Sequence, residues 1–266
     1  FRCVENVYGG LAGGYNCGWQ AAQYGTLVFM HADCFLPRTD SVLRTLDHFQ
    51  DPDVVAVMSR TVFPESEWEL MSFWDQVARG RYVGKESYAM GGKFDVMRRD
   101  VLMRIGGFDQ KHFFCAAEDS DMFLRLKKIG RIARSKVRVV HAHHYPPNAP
   151  LRSIFQKQVI LGQGFGALLR KHWRDFLFYR EMKTLLLIHT AKLVLFTGLL
   201  FPFARWVSVA ALIALGFLFS GKALLLKDIR VVWVPAINVG QIFVFSGAYL
   251  WGAVSGRQRI RRRSRT

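Results

Sequence analysis

Thr26-Leu27-Val28-Phe29-Met30-His31-Ala32-Asp33 joins an apolar run of strand length to a polar triplet. Gly25 bounds the run on one side and polar residues bound it on the other, so it reads as a buried strand with an acid at its carboxyl end. Upstream, Gly9–Gly14 reads as a glycine-rich loop, Tyr15–Tyr24 as a short helix and Arg2–Glu5 as a short strand or the end of one. Downstream, Val42, Leu43, Leu46 and Phe49 fall at helical spacing within Thr39–Phe49, with Thr39 or Asp40 as cap. Val54–Met58 is a second strand, Glu65–Arg81 is helical in part, and Arg98–Ile105 is a short helix ending at Gly106-Gly107. Glu118–Ile129 reads as a helix stopped by Gly130 in the left-handed conformation. Ile132–Val140 is a third strand and Pro150–His172 a longer helix. Strands alternating with helices predict an α/β domain with a largely parallel sheet. Ligands of such sheets bind beyond the carboxyl ends of the strands. Asp33 and His141 both follow strands and are therefore expected to face one crevice.

The 266 residues carry 37 Lys+Arg against 20 Asp+Glu, a net charge of +17. Residues 1–150 hold 19 basic and 17 acidic residues, a balance of +2, whereas residues 151–266 hold 18 and 3, a balance of +15. The near-neutral first part weighs against nucleic acid as a partner. The second part is basic and strongly apolar together, which points to membrane lipids. Val231–Gly252 is uncharged, Trp206–Leu226 carries only Lys222, and Leu185–Phe201 carries His189 and Lys192. A lysine at the middle of a span costs roughly 2.5–3.5 kcal/mol. Residues 173–203 are thus expected in the interface, and 204–256 are expected to cross the membrane twice, with three crossings as the alternative. Residues 257–266, with six arginines from Arg257 to Arg265, form a basic tail on the cytoplasmic side. Two crossings keep the N-terminal domain cytoplasmic too, at the plasma (inner) membrane of the cell. Cys3, Cys17, Cys34 and Cys115 are scattered without a Cys-x-x-Cys pair, which argues against a zinc ribbon or redox dithiol.

Four groups of residues have chemistry to offer, and each also has a plainer reading. Asp33 suits a hard divalent cation, or caps the next turn. Glu118-Asp119-Ser120-Asp121 places three carboxylates in four residues, more than complementing a helix dipole requires, so one of them is a candidate general base. Gly91-Gly92 lets backbone approach a ligand, or simply turns the chain. His141 and His143 share one face of an extended strand and reach a metal or phosphate there, while His144 reads as a loop residue.

Order and spacing add a resemblance. The runs Gly10-Leu11-Ala12-Gly13-Gly14-Tyr15-Asn16-Cys17-Gly18 and Ala32-Asp33 resemble the first half of family 2 glycosyltransferases. Gly91-Gly92-Lys93-Phe94-Asp95, Ile105-Gly106-Gly107-Phe108-Asp109 and Glu118-Asp119-Ser120-Asp121 with Arg125-Leu126 are similar to the second half, and His141 completes the series. The resemblance spans residues 1–172 as a partial GT-A domain, a Rossmann-like α/β fold for nucleotide-diphospho-sugars, lacking its first strands and followed by C-terminal transmembrane helices. It implies an inverting transferase that uses Mg²⁺ or Mn²⁺ and moves a sugar to a lipid-linked or cell-surface glycan acceptor. It further implies Asp119 as catalytic base, Asn16, Gly91, Gly92 and Glu118 as substrate-binding positions, and Asp33 and His141 as metal ligands.

His31 stands where the family's Asp-x-Asp motif has its first acid, and either joins the metal ligands or contacts the ribose. Without the first strands, this stretch of chain is expected to bind donor poorly by itself. A non-catalytic membrane scaffold on a degenerate transferase domain is the alternative expectation. The Gln-x-x-Arg-Trp motif of processive synthases is not seen near Gln158–Gly162, which favours transfer of single sugars. Trp68, Phe73, Trp74 and Tyr82 either stack on acceptor or pack helices. Arg170, Lys171, Arg174, Arg180 and Lys183 attract anionic lipid or bind a lipid phosphate.

Overall fold

The computed structural model describes residues 3–142 and 149–258, so His143, His144 and the arginine-rich stretch 259–266 lie outside the described residues. In chain order the regular elements are α1 (Gly10–Ala21), β1 (Thr26–Phe29), β2 (Cys34–Phe35), α2 (Ser41–Leu46), β3 (Val54–Val62), α3 (Phe73–Arg79), β4 (Glu86–Tyr88) and β5 (Asp95–Arg98). They continue with α4 (Arg99–Ile105), α5 (Glu118–Lys127), β6 (Arg131–His141), α6 (Leu151–Phe178), α7 (Arg180–Gly198), α8 (Pro202–Ser220) and α9 (Val234–Ser255). Described residues 3–69 and 82–142 form one compact unit, and 70–81 with 149–258 form a second.

The first unit is a six-stranded sheet in the order β1-β5-β3-β6-β2, with β4 paired to β3. β3 is buried along almost its whole length, as a central strand with both faces covered must be. One apolar cluster gathers Leu27, Phe29, Ala56, Met97, Leu102, Phe108, Met122 and Leu126. A second gathers Val54, Val57, Phe94, Val96, Ala133, Val137 and Val139.

The expectation of a largely parallel sheet is corrected. Among the described residues β3–β6 is the one parallel pair, and the β1–β5, β3–β5, β3–β4 and β2–β6 pairs are antiparallel. The cause lies at the glycine turn before β5. Phe29, which ends β1, pairs with Asp95, which starts β5, so the chain enters β5 where β1 finishes and runs back beside it.

The helix expected from Tyr15 begins at Gly10 instead. The Asn6 side chain accepts the Gly9 N–H (2.9 Å) and donates to the Gly10 carbonyl (2.8 Å), and the Leu11 N–H donates to the Phe114 carbonyl (2.8 Å). Gly10 has φ +67°, and a Cβ there would stand 2.4 Å from the Phe114 carbonyl oxygen. Tertiary contacts thus turn a glycine-rich segment into helix. Residues 3–5 form no strand. Gly130 is not a left-handed cap: α5 ends at Lys127, and a Cβ at Gly130 would meet Val55 Cγ1 at 2.3 Å, so close packing requires the glycine.

The second unit is helical. Gly162, Gly166 and Gly252 let α6 and α9 pack backbone to backbone. A Cβ at Gly166 would stand 2.1 Å from the Tyr249 carbonyl, and one at Gly252 would stand 2.3 Å from that of Gln163. Gln158 donates to Gln241 (2.9 Å), Gln241 to Asn238 (2.8 Å) and Asn238 to Ser220 (3.0 Å), a polar chain linking α6, α9 and α8. α6 runs past residue 172 with a kink at His172, where φ is −118° and ψ 28°. Pro202–Leu225 and Ile229–Ser255 are long and apolar enough to cross a membrane, and α7 is not among such segments in the described residues.

Candidate active site

Strand pairing assembles the first part of the site. β2 and β6 share two registered pairs, Cys34 with His141 and Phe35 with Val140, and the Ala142 N–H donates to the Asp33 carbonyl at 2.9 Å. This short ladder sets Asp33 Oδ2 3.0 Å from His141 Nε2. A tight turn, in which the Cys34 N–H donates to the His31 carbonyl, brings His31 Nδ1 to 3.9 Å from Asp33 Oδ1. One ligand atom from each of His31, Asp33 and His141 falls within 4.8 Å of the others. Burial lowers the affinity of both imidazoles for a proton, which favours the neutral form that binds metals. The donor set, two imidazoles and a carboxylate, therefore fits a divalent ion.

A glycine turn borders this cluster. Asp95, buried at the start of β5, accepts the N–H groups of both Gly91 (2.8 Å) and Gly92 (2.6 Å). Burial pushes its carboxyl up to about 6, against the pull of those two N–H groups. Gly92 has φ +67°, and a Cβ there would stand 1.8 Å from Tyr15 Oη and 3.0 Å from His31 Nε2. A Cβ at Gly91 would stand 3.5 Å from Asp119 Oδ2. Consecutive glycines thus have the histidine cluster beside one and the Asp119 carboxylate beside the other.

The acidic run opens α5 from a left-handed Ala117 (φ 67°), unique among the described non-glycine residues in having positive φ. Such a conformation in a non-glycine residue costs of order 1–3 kcal/mol and is typical of functional turns. Asp119 Oδ1 accepts the Ser120 N–H at 2.6 Å. Burial raises Asp119 above the usual carboxylate range, opposed by Ser120 and Lys93. Glu118 is buried with no hydrogen-bond partner for Oε2, and burial together with the neighbouring Asp119 pushes it up to about 7. Asp121 is structural: its carboxylate accepts from Arg125 Nε at 2.8 Å, and Arg125 also donates to the Ile105 carbonyl at 2.9 Å.

Asn16 is not brought to the crevice. It is buried, donates to the Phe108 carbonyl (2.8 Å) and accepts from the Phe108 N–H (2.8 Å) and Trp19 Nε1 (3.0 Å). It pins the Gly107–Phe108 backbone rather than facing a ligand. Phe73 is buried with Val77, Ile154, Ala223 and Val234, with Trp74 against them, and the Arg230 guanidinium lies 4.2 Å from the Phe73 ring centre. Packing therefore accounts for these two aromatics.

Sequence reasoning missed two residues. Asp95 holds the glycine turn; an acid three residues past a Gly-Gly pair was the available signal. Lys93 is the cation whose charge acts on His31, Asp95, Glu118, Asp119 and His141 alike. An open groove of about 610 Å³, lined in part by Asn6, Gly10, Tyr15, Met30, His31 and Asp33, leads to the cluster.

The fold is of the GT-A type, by its likeness to solved structures. Among solved structures, 24 chains match. One is the mannosyltransferase PcManGT from Pyrobaculum calidifontis in complex with GDP-Man and Mn²⁺, with TM-score 0.51 and 19% identity over 91% of this chain and 67% of that one. More particularly, residues 1–106 match the model of glycosyl transferase family 2. No curated protein matches.

Proposed function

We propose that the protein is a membrane-bound, inverting transferase that moves a sugar from a nucleotide-diphospho-sugar to a lipid-linked or cell-surface glycan acceptor. The observation that carries the reading is the double glycine turn, with the Asp119 carboxylate beside Gly91 and the His31–Asp33–His141 cluster beside Gly92. Asp119 takes the proton of the acceptor hydroxyl as its oxygen attacks the anomeric carbon. The bond from that carbon to the diphosphate oxygen breaks on the opposite face, and the configuration inverts. His31, Asp33 and His141 would hold Mg²⁺ or Mn²⁺, which when bound neutralises charge on the departing diphosphate. Lys93 adds a fixed positive charge in the same crevice. Glu118 and the Gly91-Gly92 backbone border the sugar.

The membrane part of the reading rests on the second unit. α9 alone is about 33 Å long at 1.5 Å per residue, against a hydrocarbon core of roughly 30 Å. Phe203, Trp206, Val207, Leu218, Phe243 and Val254 are exposed on the two apolar helices, a surface that suits lipid better than water. The six arginines at the end of the chain favour a cytoplasmic tail, and two crossings then place the catalytic unit on the same side. Arg170, Lys171 and Arg174 on α6, with Arg180 and Lys183 on α7, would attract anionic headgroups there.

The test is Asp119→Asn in the full-length protein reconstituted in lipid, assayed for sugar transfer from a panel of nucleotide sugars. Turnover should fall by roughly 10²–10⁴-fold with the thermal unfolding profile preserved. Retained turnover would remove Asp119 from the role of base, and absence of transfer by the unaltered protein would favour a non-catalytic scaffold.

A further inference from the structure

We infer that His31 is a nitrogen ligand that tunes this site toward first-row transition ions such as Mn²⁺ and Co²⁺ and away from Mg²⁺, and that Tyr15 sets the ring for that task. The inference rests on the transferase reading of the crevice and goes on to the identity of its ion. Nδ1 of His31 lies 3.9 Å from Asp33 Oδ1, too long for a hydrogen bond. It is within the span of two ligands that each sit about 2.1 Å from one divalent ion. On the far side of the ring, Nε2 is 2.7 Å from the Tyr15 hydroxyl. The Tyr15 and His31 rings lie nearly parallel, 9° apart, with centroids 6.3 Å apart.

A ring nitrogen ligates metal only through its lone pair. The useful tautomer therefore carries its proton on Nε2, which donates to the Tyr15 oxygen and leaves the Nδ1 lone pair toward Asp33. Tyr15 is itself wedged against Phe29 (ring centroids 5.5 Å) and Phe108 (4.8 Å), so the hydroxyl is a fixed post. Gly92 completes the arrangement, because any side chain there would displace that hydroxyl. Carboxylate and water ligands suit Mg²⁺ and Mn²⁺ alike, whereas each imidazole added to a site favours first-row transition ions over Mg²⁺. With His31 and His141 both present, two of three protein ligands are imidazole.

The experiment uses the full chain in lipid nanodiscs. Mn²⁺ binding is followed by pulsed electron paramagnetic resonance, and Mg²⁺ and Co²⁺ binding by calorimetry, each with and without UDP or GDP. Bound Mn²⁺ should show couplings to two imidazole nitrogens, reduced to one in His31→Asp. The ratio of Mg²⁺ to Mn²⁺ dissociation constants should fall roughly tenfold in that variant. Tyr15→Phe removes only a hydroxyl, and should weaken Mn²⁺ binding roughly tenfold while keeping His31. Mn²⁺ that binds with the same nitrogen couplings in His31→Asp would overturn this assignment and leave the transferase reading standing. Absence of Mn²⁺ binding by the unaltered chain, with nucleotide present, would overturn the metal-dependent reading of the donor site and this assignment with it.

Discussion

The crevice and the helical unit both bury polar groups, but they treat them differently. In the helical unit Gln158, Gln241, Asn238 and Ser220 pass hydrogen bonds from one to the next. Partners of that kind cancel the cost of burial and fix helix register. In the crevice, buried Glu118 has no hydrogen-bond partner for Oε2, and Asp95, Glu118 and Asp119 all hold protons more tightly than free carboxyls do. Satisfied polarity builds architecture, whereas unsatisfied polarity in a cleft marks chemistry. His189 is an exception in the helical unit. Neither of its ring nitrogens has a hydrogen-bond partner, and the ring packs on Phe245 and Tyr249 at 4.8 Å from each.

The contrast can be broken hardest at the glycines. Gly92→Ala should cost turnover at least roughly a hundredfold, because displacing Tyr15 disturbs the geometry of the reacting groups. Steady-state kinetics should show the loss with most of the folded structure retained. Gly166→Ala should do the reverse, destabilising the helical unit by roughly 2–3 kcal/mol through overpacking with little change in kcat of the folded fraction. Thermal unfolding in nanodiscs reads it.

pH sharpens the comparison. The folded values of Asp95 and Glu118, about 6 and about 7, lie above those of the unfolded chain. Their contribution to stability is fully present below pH ~4 and is lost as pH rises through 6 and 7. On the proposed mechanism activity should run the other way, because Asp119 would have to be ionised to act as base. Glu118→Gln removes one of these raised carboxyls, so the stability loss between pH 5 and 8 should shrink. His189→Phe is the smallest expected effect. Replacing an unsatisfied buried ring with an apolar one should stabilise the helical unit by roughly 1 kcal/mol, read as a rise in Tm without a change in kinetics.

What was legible in the sequence follows from the range of each interaction. Thr26–Met30, Val54–Met58 and Ile132–Val140 announce themselves by apolar runs and correspond to β1, β3 and β6 within a few residues. Asp33 and His141 were readable because both follow strands, and a two-residue ladder does bring them together. Strand direction was not readable, since it depends on where β5 enters the sheet. α1 was hidden because glycines have poor helical propensity, and a contact with Phe114, more than 100 positions away, sets its start. Asn16 looked functional by position, yet its partners at Phe108 give it a structural job. Lys93 and Asp95 gain their roles only once the glycine turn before them folds against α5.

The ladder between β2 and β6 carries one more consequence. Asp33 and His141 are 108 positions apart in the chain. An ion gripped by both closes a loop of that length, and it binds only after β6 has docked. Its binding free energy is therefore also folding free energy for the catalytic unit, growing as RT ln(1 + [M]/Kd). The proposed ligand set would act as a clasp: chelation should lower the melting temperature of the catalytic unit even where no sugar is transferred.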